Sequence, residues 1–336
     1  MAEQKKPLPH ITIENAPPPY DEFLDERAPA SEYHYFIDGH GRRCADRIPF
    51  RPDARKFDLV NAWWLSEAAT LVYSGPDIVK SIFRETPLKQ VEYLNSDGGN
   101  ECFVASNNDL AVVAFRGSEL TPREGGEHDF GNIIKDWVRN VDIRTSNSVA
   151  GARVHRGFAD GVKELWEVKG LGDLVAGLSP RKVWFTGHSL GGALATAAAA
   201  RAVSEGRPLD GLYTFGSPRV GDEVFAANLK RMLGDRGLAH YRFVNGNDVV
   251  TTVPLFSKPP VVKFKHVETL KHIDGKGRIT DDPSRFERLK AKVLDLVDQL
   301  EGHFLNGIPN AIEDHVPTLY STHIWNAYVE ARGGGD

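Results

Sequence analysis

Residues 57–73, Phe-Asp-Leu-Val-Asn-Ala-Trp-Trp-Leu-Ser-Glu-Ala-Ala-Thr-Leu-Val-Tyr, place apolar side chains at near-helical spacing with no breaker. This predicts a helix with Trp63 and Trp64 in the core. The pattern then changes. Residues 110–115, 182–186 and 212–215 are short, unbroken apolar runs of the kind found in strands buried on both faces, and 241–244 reads as a fourth. Stretches of helical length separate the later strands: a small-residue helix over 190–203 and another over 222–233. Strands alternating with helices of about 10–15 residues imply βαβ units. The fold class is therefore α/β, with a mostly parallel central sheet flanked by helices.

The two ends of the chain differ from this core. Residues 7–19 hold five prolines and read as an extended arm, and residues 38–56, rich in Gly, Arg, Asp and Pro, read as loop. The expected organisation is an N-terminal arm and loop over residues 1–56, then a single domain over 57–336. Residues 261–265 and 268–272 read as a strand pair, followed by the turn Asp274-Gly275-Lys276-Gly277. Residues 284–305 carry Phe286, Leu289, Val293, Leu296, Leu300 and Phe304 at the spacing of an amphipathic helix. Its plain reading is packing on the domain; the sharper one is facing lipid or covering a pocket.

Composition narrows the function classes. The 336 residues suffice for one large α/β domain, and 41 % apolar with 26 % charged residues is ordinary for a globular protein. A net charge of −5 gives no polyanion-binding surface, so nucleic acid is not an expected partner. No apolar run reaches the roughly 18 residues of an integral membrane segment. The N-terminal basic pair Lys5-Lys6 has no apolar run behind it and does not read as a signal peptide. A cytoplasmic protein is the default expectation, although a secreted mature chain with its signal removed reads the same way. Cys44 and Cys102 allow at most one disulfide, and two buried thiols are the simpler expectation.

The chemistry concentrates at Gly187-His188-Ser189-Leu190-Gly191, a G-x-S-x-G pentad. By itself such a pentad arises by chance in on the order of 0.1 of chains this long. Here a short apolar strand leads into it and an alanine-rich helix leads out, as a nucleophile elbow requires. The glycines let the chain turn sharply enough to lift the serine hydroxyl above the sheet edge, with the next helix aiming its N-terminus at the developing oxyanion. This is the α/β-hydrolase arrangement, in which an acid and then a histidine follow the serine in the chain.

Counting two strands on from the elbow reaches Asn245-Gly246-Asn247-Asp248, which makes Asp248 the acid, an Asx-turn residue being its plainer reading. Asp222 lies one strand too early and reads as a helix N-cap. Of the histidines that follow with room for an acid between, His266 and His272 belong to the strand pair and His303 to the amphipathic helix. His315, in a loop entering the final helix, is the candidate base, with His323 inside that helix as runner-up. Asp38 with His40, and His266 with His272, lack further ligands at suitable spacing, so no metal or organic cofactor is expected.

With these residues assigned, the chain resembles the class 3 lipases over about residues 57–328. Phe115-Arg-Gly-Ser118, Asp136-Trp137, Val154-His-Arg-Gly-Phe158, the elbow, Tyr213-Thr-Phe-Gly-Ser-Pro-Arg-Val-Gly221, Asn247-Asp248 and Asp314-His315 each match a motif of that family. The resemblance implies a carboxylic-ester hydrolase working through an acyl-enzyme on Ser189, Asp248 and His315. Ser118 would then be an oxyanion donor, joined by the backbone N–H of Leu190, which elbow geometry indicates independently. Fungal members carry several disulfides, which two cysteines cannot supply, so the likeness is to a bacterial-type member. The segment 119–135, at the place of the family's lid, departs from it in being polar and Gly-rich, with mainly Phe130, Ile133 and Ile134 as apolar surface, which argues against full interfacial activation; transient contact with a lipid interface is expected of the chain. Acylglycerol or another fatty-acyl ester is the expected substrate; short-chain, feruloyl and phospholipid esters remain open. A non-catalytic lipid-binding or scaffold module on the same fold is the alternative class.

Overall fold

Asp58 starts the first well-defined helix by accepting hydrogen bonds from the backbone N–H of Val60 and Asn61, which caps α1 (Leu59–Leu71). Twelve of its 13 residues are buried, so it is a core helix rather than a one-sided surface helix. These features come from a computed structural model that describes residues 35–37, 43–117, 145–147, 152–254, 262–282, 284, 288, 291 and 313–333. After α1 come α2 (Gly75–Arg84), β1 (Gln90–Asn95), β2 (Glu101–Ser106), β3 (Leu110–Phe115), β4 (Thr145–Asn147) and β5 (Arg153–His155). Next are α3 (Arg156–Lys163), α4 (Leu171–Gly177), β6 (Lys182–His188), α5 (Leu190–Ser204), β7 (Gly211–Phe215) and β8 (Gly221–Asp222). Last are α6 (Glu223–Asp235), β9 (Ala239–Asn245), β10 (Phe264–Lys265), β11 (Thr269–Ile273), β12 (Ile279–Thr280) and α7 (Pro317–Gly333).

The large sheet has the order β1-β2-β3-β6-β7-β9-β11-β12. Its five central strands, β3 to β11, run parallel, and antiparallel partners flank them on both sides. Alternate strand residues feed two separate cores. Phe103, Val112, Trp184, Tyr213 and Phe243 point to the face covered by α1 and α7. Val104, Val113, Val183, Phe185 and Leu212 point to the face covered by α5. Burial on both faces is why these strands read as unbroken apolar runs. Tyr35, Phe36, Cys44 and Phe50, from the segment read as arm and loop, are buried in the first core. Cys44 and Cys102 are buried thiols in different cores, separated by the sheet.

The expected pair of strands at 261–265 and 268–272 is not a pair. Both edges of β11 are taken, by β9 and β12, so β10 joins β8 in a small second sheet ordered β10-β8-β5-β4. Asp222 caps α6 as expected, accepting from Phe225 N–H at 2.8 Å. Most of the expected amphipathic helix at 284–305, with His303, lies outside the described residues; Ser284, Arg288 and Ala291 of it are helical and exposed. Among the described residues no helix is long and apolar enough to cross a membrane.

Candidate active site

β6 ends at His188 and α5 begins at Leu190, leaving Ser189 alone at the turn with φ 55° and ψ −130°. Phe36 is the only other described non-glycine residue with positive φ. Such a backbone costs about 1–3 kcal/mol and persists only where its surroundings enforce it. Here the enforcement is backbone contact. A Cβ on Gly191 would lie 2.1 Å from the Phe115 carbonyl oxygen, and one on Gly187 would lie 2.3 Å from the Gly191 carbonyl. The Ser189 N–H donates to Phe215 O at 3.0 Å, which ties the elbow to the end of β7. Ser189 and Leu190 are both half-buried, and Leu190 supplies one of the first amides of α5, which have no intrahelical acceptor.

Asp248 lies past the end of β9 and is fully buried. One carboxylate oxygen, Oδ1, accepts from Val250 N–H at 3.0 Å and caps the 3-10 turn Val249–Thr252. The other, Oδ2, is 2.8 Å from His315 Nδ1 and accepts from the Tyr320 hydroxyl at 2.5 Å. One oxygen of Asp248 thus serves the turn, and the other faces the candidate base. His315, also fully buried, closes the turn Glu313–His315 just ahead of α7, whose first residue is Pro317. Asp314 ties this turn to the acid loop: its side chain accepts from Asn247 N–H at 2.6 Å and its carbonyl from Asn245 Nδ2 at 3.0 Å.

Gly216 links the two ends of the site. At φ +58°, a Cβ there would lie 2.8 Å from Asp248 Oδ2 and 2.9 Å from His315 Nδ1. Ser189 is hydrogen-bonded to the residue just before it, so the candidate nucleophile and the Asp–His pair flank one dipeptide, Phe215-Gly216. With Nδ1 engaged by Asp248, proton exchange with a serine hydroxyl falls to His315 Nε2.

The other candidates lie elsewhere. The rings of His266 and His272 donate to Thr251 O at 2.7 Å and Gly246 O at 3.0 Å, bracing the acid loop rather than replacing the base. His323 sits along α7, where burial pushes its proton affinity down against the opposing charge of Asp274. Ser118, the segment 119–135 and Asp136-Trp137 lie outside the described residues. Among the described residues, no group of three or more His, Cys, Asp or Glu side chains is placed to hold a metal.

Four residues around the site have no role assigned by the sequence, although His188 lies in the pentad and Arg219 in the stretch 213–221. Tyr320 lies five residues beyond His315; burial, and then Asp248, push its pKa well above the ordinary value, so it stays a neutral donor. It also accepts from Asn245 N–H at 3.0 Å. Arg219 donates from its backbone to Val253 O at 2.9 Å and from its guanidinium to the carbonyl oxygens of Thr252 and Pro254, holding the acid loop. His188 and Tyr73 are hydrogen-bonded beneath the elbow.

Known proteins resemble the chain in sequence and in fold. Residues 112–258 match the family model described as Lipase (class 3). A secreted mono- and diacylglycerol lipase 1 of Fusarium solani is 37 % identical over 146 residues, 42 % of this chain and 41 % of that one. A secreted mono- and diacylglycerol lipase A of Penicillium cyclopium is 28 % identical over 226 residues, 66 % of this chain and 63 % of that one. The chain thus spans 41–63 % of the length of these curated relatives. The solved structure of Rhizomucor miehei triacylglyceride lipase superposes with a TM-score of 0.50 at 23 % identity, covering 65 % of this chain and 80 % of that one, and shares its fold.

Proposed function

We propose, from the match of residues 112–258 to the class 3 lipase family, that the chain is a member of it and a serine carboxylic-ester hydrolase with Ser189, Asp248 and His315 as its triad. The observation that carries the reading is the fully buried 2.8 Å contact between Asp248 and His315, set across Phe215-Gly216 from a strained serine. His315 takes the proton of Ser189 as the hydroxyl oxygen attacks the ester carbonyl. The oxyanion is held by the Leu190 N–H at the start of α5 and by Ser118. The tetrahedral species collapses, the leaving alcohol takes the proton from His315, and water, activated by the same imidazole, releases the acid. Asp248 fixes the tautomer and stabilises the imidazolium, with the Tyr320 hydroxyl sharing its charge. The reaction needs no cofactor.

An acylglycerol or other fatty-acyl ester is the substrate class this reading favours, since the relatives above are named as mono- and diacylglycerol lipases. The expectation of a cytoplasmic protein finds no support among them: both are named as secreted, and export is the compartment the reading favours. Residues 57–336 remain the proposed hydrolase domain, and Tyr35, Phe36, Cys44 and Phe50 of the preceding segment add side chains to its core.

The test is hydrolysis of p-nitrophenyl esters from short to long acyl chains, beside emulsified acylglycerols, by wild type, Ser189→Ala and Asp248→Asn. Turnover by wild type, its loss in Ser189→Ala and a fall of about 10⁴ in kcat for Asp248→Asn are expected. A folded wild type that hydrolyses no ester overturns the reading in favour of a non-catalytic module on this fold.

A further inference from the structure

Two polar side chains beside the triad take no part in the proton transfers just described. His188 fills the variable position of the elbow and is 1 % exposed, and Tyr73 projects from the turn Val72–Ser74 that ends α1. The His188 ring lies against that of His315, with centroids 4.5 Å apart and planes inclined at 39°, and 5.9 Å from the Tyr320 ring. Its Nε2 is 2.7 Å from the backbone oxygen of His315. A carbonyl oxygen only accepts, so Nε2 carries the proton. Burial, and next the neighbouring His315, push the proton affinity of this ring well below that of an ordinary histidine, so it stays neutral and Nδ1 is an acceptor. The Tyr73 hydroxyl faces two acceptors, Nδ1 at 3.2 Å and the His188 carbonyl oxygen at 3.4 Å, and with its single proton it serves Nδ1, the nearer and the only one of the two on the ring. Both ring nitrogens are thereby assigned. Gly117 makes the contact sterically feasible, because a Cβ there would lie 2.1 Å from the Tyr73 hydroxyl.

We propose that His188 is a positioning residue for acyl transfer: locked as the Nε2–H tautomer by Tyr73, it sets the height of the His315 backbone above the nucleophile. The inference rests on the Ser189–Asp248–His315 reading. Asp248 fixes the rotation of the His315 ring through Nδ1, but a carboxylate on one ring atom does not fix the backbone that carries the ring. His315 comes from a three-residue turn, and its carbonyl is held by His188, the residue that immediately precedes Ser189 in the chain. Base and nucleophile are therefore referenced to each other through one peptide unit, one imidazole and one hydrogen bond. A misplacement of about 1 Å in such a constellation costs on the order of 10²-fold in rate. Neutrality is part of the device, since a charged ring here would oppose the imidazolium that His315 becomes.

The test uses the full-length chain as wild type, His188→Gln, His188→Asn, His188→Leu and Tyr73→Phe. The readouts are kcat and KM on p-nitrophenyl butyrate, the rate of labelling by a fluorophosphonate probe, and Tm. His188→Leu loses the donor, and His188→Asn keeps an acceptor near Nδ1 but is too short to reach the His315 carbonyl. Both should lose about 10–100-fold in kcat and in labelling rate with KM changed by less than about twofold. His188→Gln, which carries a donor at the reach of Nε2, should regain most of the activity, and Tyr73→Phe should lose about 3–10-fold. Because Tyr73→Phe removes one hydroxyl from a half-buried ring, it decides the matter even if His188→Leu does not fold. Wild-type kcat in folded His188→Asn and Tyr73→Phe, with only Tm lowered, overturns the positioning role while leaving the triad standing. A wild type that neither turns over ester nor takes the probe sinks the triad reading, and this inference with it.

Discussion

The two faces of the large sheet are packed with different materials. On one, large rings fill the space: Trp63 of α1 packs against Trp325 of α7 at 5.2 Å and against its neighbour Trp64 at 6.2 Å, and Phe50 meets Trp184 of β6 at 5.2 Å. On the other, α5 presents Gly191, Gly192, Ala195, Ala198 and Ala202, all buried. The faces deliver different halves of the site. The helix with small residues begins at the serine, and it must come within backbone contact of β3 for the elbow to close. The helix with large residues follows His315 and carries Tyr320; it stands off from the sheet, and rings and hydrogen bonds set its height. The proposed nucleophile is placed by removing side chains, the proposed base by filling the space behind it.

This contrast can be broken from either side. Gly191→Val should have the largest effect, because its Cβ would lie 2.1 Å from a strand carbonyl oxygen that cannot move aside. The expected outcome is no folded protein, read by soluble yield and circular dichroism, and a folded Gly191→Val would refute the close-approach account. On the other face the costly direction reverses. Trp63→Ala should cost about 3–5 kcal/mol in urea unfolding by opening a cavity between α1 and α7. Ala198→Leu on α5 should cost about 1–3 kcal/mol by overpacking. Equal tolerance of both changes would mean the faces are not packed by different rules.

The smallest expected effect lies at the seam between the faces. The depressed proton affinity of buried His188 means that the unfolded chain takes up its proton first as pH falls below about 6.5. The stabilising contribution is present above that pH and is lost as pH falls, and His323, depressed in the same direction, adds to it. His188→Gln should flatten the acid limb of stability against pH by up to about 1.4 kcal/mol per pH unit. An unchanged slope would show that His188 charges without cost in the folded state.

The parts of the site that are legible in the sequence have local causes. The elbow is a short apolar strand, glycines at the close approaches and an alanine helix, all contiguous from residue 182 to 204. Asp248 follows from counting strands, because a parallel sheet brings successive strand ends to one edge. His315 follows from chain order and a loop position. The strand assignments at 110–115, 182–186, 212–215 and 241–244 hold because burial on both faces writes an unbroken apolar run, whereas β1, exposed on alternate residues along its edge, writes a weaker pattern.

Contacts between distant segments have no such local record. Nothing near residue 320 indicates that its hydroxyl bonds an aspartate 72 residues earlier. Nothing near 73 indicates a histidine 115 residues on. Proximity in the chain pairs 261–265 with 268–272, yet hydrogen-bonding edges are allotted by the whole sheet, and β9 and β12 take both edges of β11. The sequence by itself determined the fold class and the turn that strains Ser189, and it named Asp248 and His315 as the candidates to partner that serine, because periodicity and steric exclusion act between near neighbours. Only the tertiary structure decided which groups hold those partners in place, because a hydrogen bond depends on where two atoms stand in space and leaves no mark on the residues between them.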